Sequence, residues 1–246
     1  MSRHGQRRAC GEMPRSVGST AVRLALPLLA ALMLITLVAC GGDDDAETAK
    51  PAPLAQRVVL EQDAPGSKPD PVETRQATVD LDEFIETLNN IAIDPGTDEI
   101  TDVFTEAGFE GAIIDTRFYG ETHTPSAPHV NSSVIELQSE QGAEDALAWI
   151  VADDMKPCPR TCAVQISEFD VEDIPEARGV RRSASAEDIE ALGTERDIPF
   201  ESYRISFTDG VFVYTIDLHG PPGSVSESQA LEIATALHHR VGGRSS

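Results

Sequence analysis

Four cysteines, six histidines and 42 acidic residues are the groups in this 246-residue chain with the chemistry to act as ligands, nucleophiles or acids. Cys158 and Cys162 stand in Pro157-Cys158-Pro159-Arg160-Thr161-Cys162, a CxxxC spacing rather than the CxxC of thioredoxin-like redox sites. A structural zinc needs four ligands, and there is no second Cys/His pair beside these two, so neither a metal nor a cofactor is expected. An even pair in an oxidising compartment reads most simply as a disulfide, with free thiols as the alternative. The ring is small, so such a bridge contributes about 2 kcal/mol and serves to pin a helix-to-strand corner.

The histidines offer less. His238 and His239 are adjacent on a helical segment, roughly 100° apart, so they do not chelate together as an i,i+4 pair does. A solvent-facing place near a helix C-terminus suits them. His123 and His129 share a loop with Pro125 and Pro128, where a metal or general-base role stays open. Trp149, the only tryptophan, lies at the edge of an apolar helical stripe, either as partial core packing or as a ligand platform. Carboxylate pairs such as Asp153-Asp154 discriminate nothing in so acidic a chain. No G-x-S-x-G elbow, EF-hand loop, P-loop or dinucleotide glycine fingerprint is present, so no catalytic residue is expected.

Charge narrows the partners. Lys and Arg number 19 against 42 Asp and Glu, a formal charge of −23. Residues 1–39 hold five Arg and one Glu, or +4, which leaves −27 on residues 40–246. Nucleic acid is excluded, because phosphate binding draws its affinity from Lys and Arg displacing counterions. A basic head on an acidic body is a processing signal before it is a fold signal.

In that head, Arg15 and Arg23 precede the sixteen-residue apolar run Leu24–Ala39, which ends against Cys40. A spanning helix needs about 20 apolar residues, so a secretory h-region fits better than an uncleaved anchor. Arg7-Arg8 lacks the apolar continuation of a twin-arginine signal, and Met13 heads a complete short n-region of its own. Leu37-Val38-Ala39-Cys40 resembles the lipobox of bacterial lipoprotein precursors. The resemblance implies cleavage between Ala39 and Cys40, a thioether-linked diacylglycerol on Cys40, and a lipid anchor on the extracytoplasmic face of the cell membrane. Two or more acyl chains make such an anchor stable.

Residues 40–77, with Gly41-Gly-Asp-Asp-Asp and five prolines, read as a flexible acidic tether reaching roughly 30–40 Å. Residues 78–246 read as one globular domain. Asp80 and Glu83 form a capping box before Leu81, Phe84, Ile85, Leu88 and Ile91. A second helix follows Thr97 and stops at Gly108. Strands are expected over Glu110–Phe118 and Val130–Gln138, a helix over Gly142–Met155, and strands over Ala163–Val171 and Gly179–Arg182. Asp209-Gly210 predicts a hairpin over Phe200–Leu218 with a two-residue type I′ turn, which faces Arg204 with Thr215 and Ile205 with Tyr214. Ser224 and Glu227 cap a last helix buried through Ala230, Ile233, Ala234, Leu237 and Val241.

This order predicts an α+β fold, a layered α/β/α sandwich on a mostly antiparallel sheet. The order, the Tyr203–Phe207 and Gly210–Tyr214 hairpin strands and the closing helix resemble PsbP/Mog1-like domains of actinobacterial lipoproteins. That resemblance implies a binding or assembly module. The expectation is a non-enzymatic domain whose cleft between sheet and helices, near Trp149 and the His123–His129 loop, holds an envelope protein or a small ligand. An envelope hydrolase or transferase with its acid/base pair among the carboxylates, and a carrier of a hydrophobic ligand, are the alternatives.

Overall fold

The computed structural model describes residues 53–70, 76–78, 80–91, 97–120, 127–156, 164–187, 189 and 198–242, all in the unit Thr48–Ser246. The head, Cys40, His123, Cys158 and Cys162 lie outside the described residues. Among those described, no helix is long and apolar enough to cross a membrane.

Among the described residues, eight strands form one sheet in which every pair is antiparallel: β1 (Ser67–Pro69), β2 (Gln76–Thr78), β3 (Phe109–Tyr119), β4 (His129–Leu137), β5 (Gln165–Phe169), β6 (Arg178–Ala184), β7 (Phe200–Asp209) and β8 (Phe212–Gly220). Their order is β1-β3-β4-β8-β7-β6-β5, with β2 pairing further along β3. Period-two alternation splits the side chains between two faces. Val130, Val134, Ile205, Phe207, Tyr214, Ile216 and Leu218 cover one face under a helix we label α4 (Glu227–Gly242). Ala112, Ile135, Leu137 and Val213 lie on the other face under α1 (Leu81–Ile91), α2 (Thr97–Glu106) and α3 (Glu140–Asp154). The result is the α/β/α sandwich that the element order predicts.

The helices start where side chains can satisfy their first amides. Asp80 Oδ1 accepts from the Asp82 and Glu83 backbone N–H groups at 2.9 and 3.4 Å. Ser139 Oγ accepts from Gly142 N at 3.0 Å, so α3 begins two residues before the predicted start. Gly142 itself is required by packing: a Cβ there would lie 2.2 Å from the Ala107 carbonyl oxygen. At α4 it is Ser226, not Ser224, whose hydroxyl receives the Gln229 amide, and Ser224 instead donates to Pro221 O and closes the preceding turn. Ala230, Ile233, Ala234, Leu237 and Val241 are buried as the stripe predicts. Each of the larger ones contributes about 1.5–3 kcal/mol.

The hairpin forms, but two residues out of the expected register. Phe207 faces Tyr214, Ile205 faces Ile216 and Arg204 faces Asp217. The loop is Gly210-Val211. Gly210 has φ +60° and Val211 does not have positive φ, which fits a turn with glycine at its first central position rather than type I′. A shift of two keeps every side chain on its predicted face and changes only its partner.

A second correction concerns the tether. Residues 53–70 are part of the folded domain: Val58, Val59 and Ala64 are fully buried, and Ser67–Pro69 adds strand β1 to β3. Arg240 of α4 fastens this strap. Its Nε donates to both Asp63 carboxylate oxygens at 3.0 Å, its Nη2 to Asp63 Oδ2 and Val58 O at 2.6 Å, and its Nη1 to Gln56 O. Arg57 lies 3.7 Å over the Phe212 ring and donates to Tyr214 Oη at 2.5 Å. Three fully buried apolar residues, with Leu54 packed beside them, suffice because these charges are paired and hydrogen-bonded.

Arg240→Ala leaves the buried Asp63 carboxylate without its partner, and the expected loss is about 3 kcal/mol by urea denaturation. A loss under about 1 kcal/mol would mean that the strap does not depend on this pair.

Candidate functional site

The face under α1, α2 and α3 can be followed in rows across β3, β4, β8 and β7. Ala112, Ile135, Val213 and Thr208 make one row, and Ile114, Ser133, Thr215 and Ser206 the next. Thr116, Asn131, Asp217 and Arg204 follow, and Phe118, His129, His219 and Ser202 make the fourth. The helices cover the apolar row, with Ile135 left at the edge of the opening beside it. Over the two polar rows a cleft of about 140 Å³ opens, walled by Phe84, Ile100, Phe104, Trp149 and Ile150 and floored by Ile114, Asn131, Ser133, Arg204, Thr215 and Asp217.

Arg204 anchors the polar end. Its Nη1 donates to Asp154 Oδ1 at 2.5 Å and its Nη2 to Asp217 Oδ2 at 3.1 Å. Asp154, the last residue of α3, also receives Arg182 Nη2 on Oδ1 at 2.7 Å and on its backbone oxygen at 3.0 Å. Ser202 Oγ donates to Asp217 Oδ1 at 2.5 Å. Two guanidiniums, of Arg204 and Arg182, thus tie the C-terminal end of α3 to the sheet.

Burial sets the two carboxylates apart. For Asp154 it is the largest effect and raises the pKa, against the Arg204 and Arg182 charges and with the Asp217 charge adding to it. For Asp217 burial also favours the neutral acid, but the Arg204 charge and the hydrogen bonds from Ser202 and Arg204 outweigh it and bring the group down to about 2. Burial works against the Arg204 charge as well, yet both carboxylates raise its pKa.

At the rim, Trp149 Nε1 donates to Glu99 Oε1 at 3.2 Å, and the ring meets Phe104 edge-on at 6.0 Å. The Lys156 ammonium bridges Glu99 and Asp153 at 3.4 and 3.1 Å. Trp149 therefore lines this cleft. His129 does not: it sits one row away, its Nδ1 2.8 Å from Ala127 O, in a file of rings running Phe118, His129, His219, Phe200 at 5.3, 5.0 and 5.1 Å. Burial and the neighbouring His129 lower the His219 pKa, against Asp217. His238, expected to face solvent, is partly buried edge-on to Phe207 at 5.5 Å, on the opposite face of the sheet.

Sequence reasoning missed Arg204, Asp154 and Asp217. A turn of Gly210-Val211 would have put Arg204 opposite Asp217, two opposite charges facing each other on a strand pair that is otherwise well buried.

The sign of the Asp217 effect is checkable. Its folded pKa lies below the usual 3.8, so the associated stability is present above pH 3.8 and is lost as pH falls through about 2. Asp217→Asn is expected to cost about 2 kcal/mol at pH 7, a loss that shrinks as the pH falls from 3.8 toward 2. Carboxyl-carbon NMR titration should place Asp154 above 3.8 in the same molecule; both acids titrating together near 3.8 would contradict the geometry.

No family model matches the chain, and no curated protein is similar to it. Among solved structures, the chain is similar to the extracellular domain of PknH from Mycobacterium tuberculosis, with 13% identity and a TM-score of 0.49 over 79% of this chain and 98% of that one.

Proposed function

We propose that this protein is a membrane-tethered binding module on the extracytoplasmic face of the cell envelope, without catalytic activity, whose cleft between sheet and helices takes a small ligand. The observation that carries the ligand reading is the cleft itself: aromatic and aliphatic walls meet a few fixed polar groups in a concavity between layers, the usual make-up of a small-molecule site. At about 140 Å³ it takes a ring-sized group, since an engineered apolar cavity of about 150 Å³ holds benzene. That is too small for the acyl chains of a lipid carrier.

The anchor reading rests on Leu37-Val38-Ala39-Cys40 at the end of the apolar run. With the strap folded, residues 41–52 are left between Cys40 and the domain, a reach of about 20 Å for a flexible segment of that length. The acidic body opposes adsorption to anionic headgroups, so lipid on Cys40 is the attachment.

A hydrolytic second reading draws on one observation, that Asp154 and Asp217 both line the cleft with their pKa values pushed apart. Against it, both carboxylates are engaged by Arg204, and Asp154 by Arg182 too. A general acid or base needs a free edge toward substrate.

Two experiments test the proposal. Cys40→Ala should release the protein from membranes or halt its maturation; continued extraction by detergent alone would rule out the lipid anchor. Native mass spectrometry of the full chain incubated with envelope small-molecule extract should show a bound species that is lost in Ser133→Phe, which projects a ring from the floor into the cleft. Equal retention by both proteins would place binding elsewhere.

A further inference from the structure

The charges around the cleft are all taken by one another. Asp154 is held by Arg182 and Arg204, Asp217 by Arg204 and Ser202, and Asp153 by Lys156. Three carboxylates thus answer three cations, and Lys156 also meets Glu99 at the rim. Arg204 keeps one unpartnered atom among the described residues, its Nε, which is buried and closed to a ligand; the other polar groups left over on the floor are neutral. Asn131 accepts from Thr116 through Oδ1 at 2.8 Å, and its amide nitrogen has no partner among the described residues. The Ser133 hydroxyl has none either, and Thr215 shares its hydroxyl with Ser206 at 3.2 Å. Asn131, Ser133 and Thr215 are all half-buried and line the cleft.

From this arrangement we infer that the ligand is an uncharged amphiphile: a ring-sized apolar body seated against Phe84, Phe104 and Trp149, carrying a neutral hydrogen-bonding head, a hydroxyl, carbonyl or carboxamide, that meets Ser133 and the Asn131 amide. This deepens the binding reading above and rests on it. A carboxylate or phosphate entering here finds Arg204 already bonded to two acids, and has to displace one of them or remain an unpaired buried charge. An ammonium meets the converse situation, because the acids already hold guanidinium or ammonium groups. A neutral head breaks no ion pair. The free donor at Asn131 and the hydroxyl at Ser133, which both donates and accepts, complement a carboxamide in particular.

The test compares probes of one size on the full chain: benzamide, benzoate and benzylammonium, followed by Trp149 fluorescence, the only tryptophan signal in the protein, and by saturation-transfer NMR. Benzamide should bind more tightly than either charged probe by roughly tenfold. Ser133→Ala should weaken benzamide by about two- to tenfold while leaving benzoate unchanged. Tighter binding of benzoate or benzylammonium, abolished by Ser133→Phe, would overturn the neutral-ligand inference and leave the cleft as the site. If no probe perturbs Trp149 and Ser133→Phe alters nothing, the cleft reading fails and the inference falls with it.

Discussion

Arg204 sits in the middle of the sheet, on a face that three helices are trying to cover. A guanidinium there is costly to desolvate and remains only if its fork is matched by carboxylates. Asp217 comes from the next strand and Asp154 from the last turn of α3, so a local charge requirement fixes a long-range distance between a helix end and the sheet. The same requirement explains why the helices do not close completely. Apolar side chains cover the row of Ala112, Ile135 and Val213, but they cannot be laid over the Asn131 amide and the Ser133 hydroxyl without burying unsatisfied polar groups. The layers separate at the boundary between the two kinds of row, and the separation is the cleft.

The opposite face has no such constraint. Its row of Val130, Leu218 and Tyr203 is apolar, the next sets buried Asp115 and Ser132 beside Ile216 and Ile205, and α4 and the strap close the face with fully buried Val58, Val59, Ile205, Phe207 and Leu218. Its charged groups include Arg240 and Asp63, which join the strap to the helix, and the buried pair Asp115 and Arg117 on β3. One face therefore stabilises the domain and the other is left to bind. Both depend on an arginine that joins segments remote in sequence, 177 residues apart for Arg240 and Asp63 and 50 for Arg204 and Asp154.

Those two links mark where the sequence could be read and where it could not. Helical period exposed Phe84, Ile85, Ile100, Phe104 and the α4 stripe, because amphipathicity is local and repeated. Alternation put Tyr203, Ile205 and Phe207 on one face with Tyr214 and Ile216 correctly, since a register error of two is invisible to a period of two. The pairing of Arg204 with Asp217 was not legible for the same reason: Asp209-Gly210 and Gly210-Val211 turns satisfy the same alternation, and only the backbone of Gly210 and Val211 separates them. Residues 53–70 look like a linker by composition. Their order comes from Arg57 and Arg240, whose partners no local pattern announces. Of the predicted cleft residues, Trp149 was visible as an aromatic at a stripe edge, whereas His129 was placed by loop proximity and lies a row away.

The central claim, that the helix–sheet cleft is the binding surface while the other face is sealed, can be tested through isoleucine methyl groups. Ile100, Ile114, Ile135 and Ile150 line the cleft, and Ile113, Ile205, Ile216 and Ile233 are buried on the opposite face. In a methyl-labelled full chain titrated with a neutral ring-sized compound, the account predicts saturable shifts in the first four resonances and none in the second. Shifts concentrated in Ile205, Ile216 and Ile233, with the cleft methyls unmoved, would contradict it.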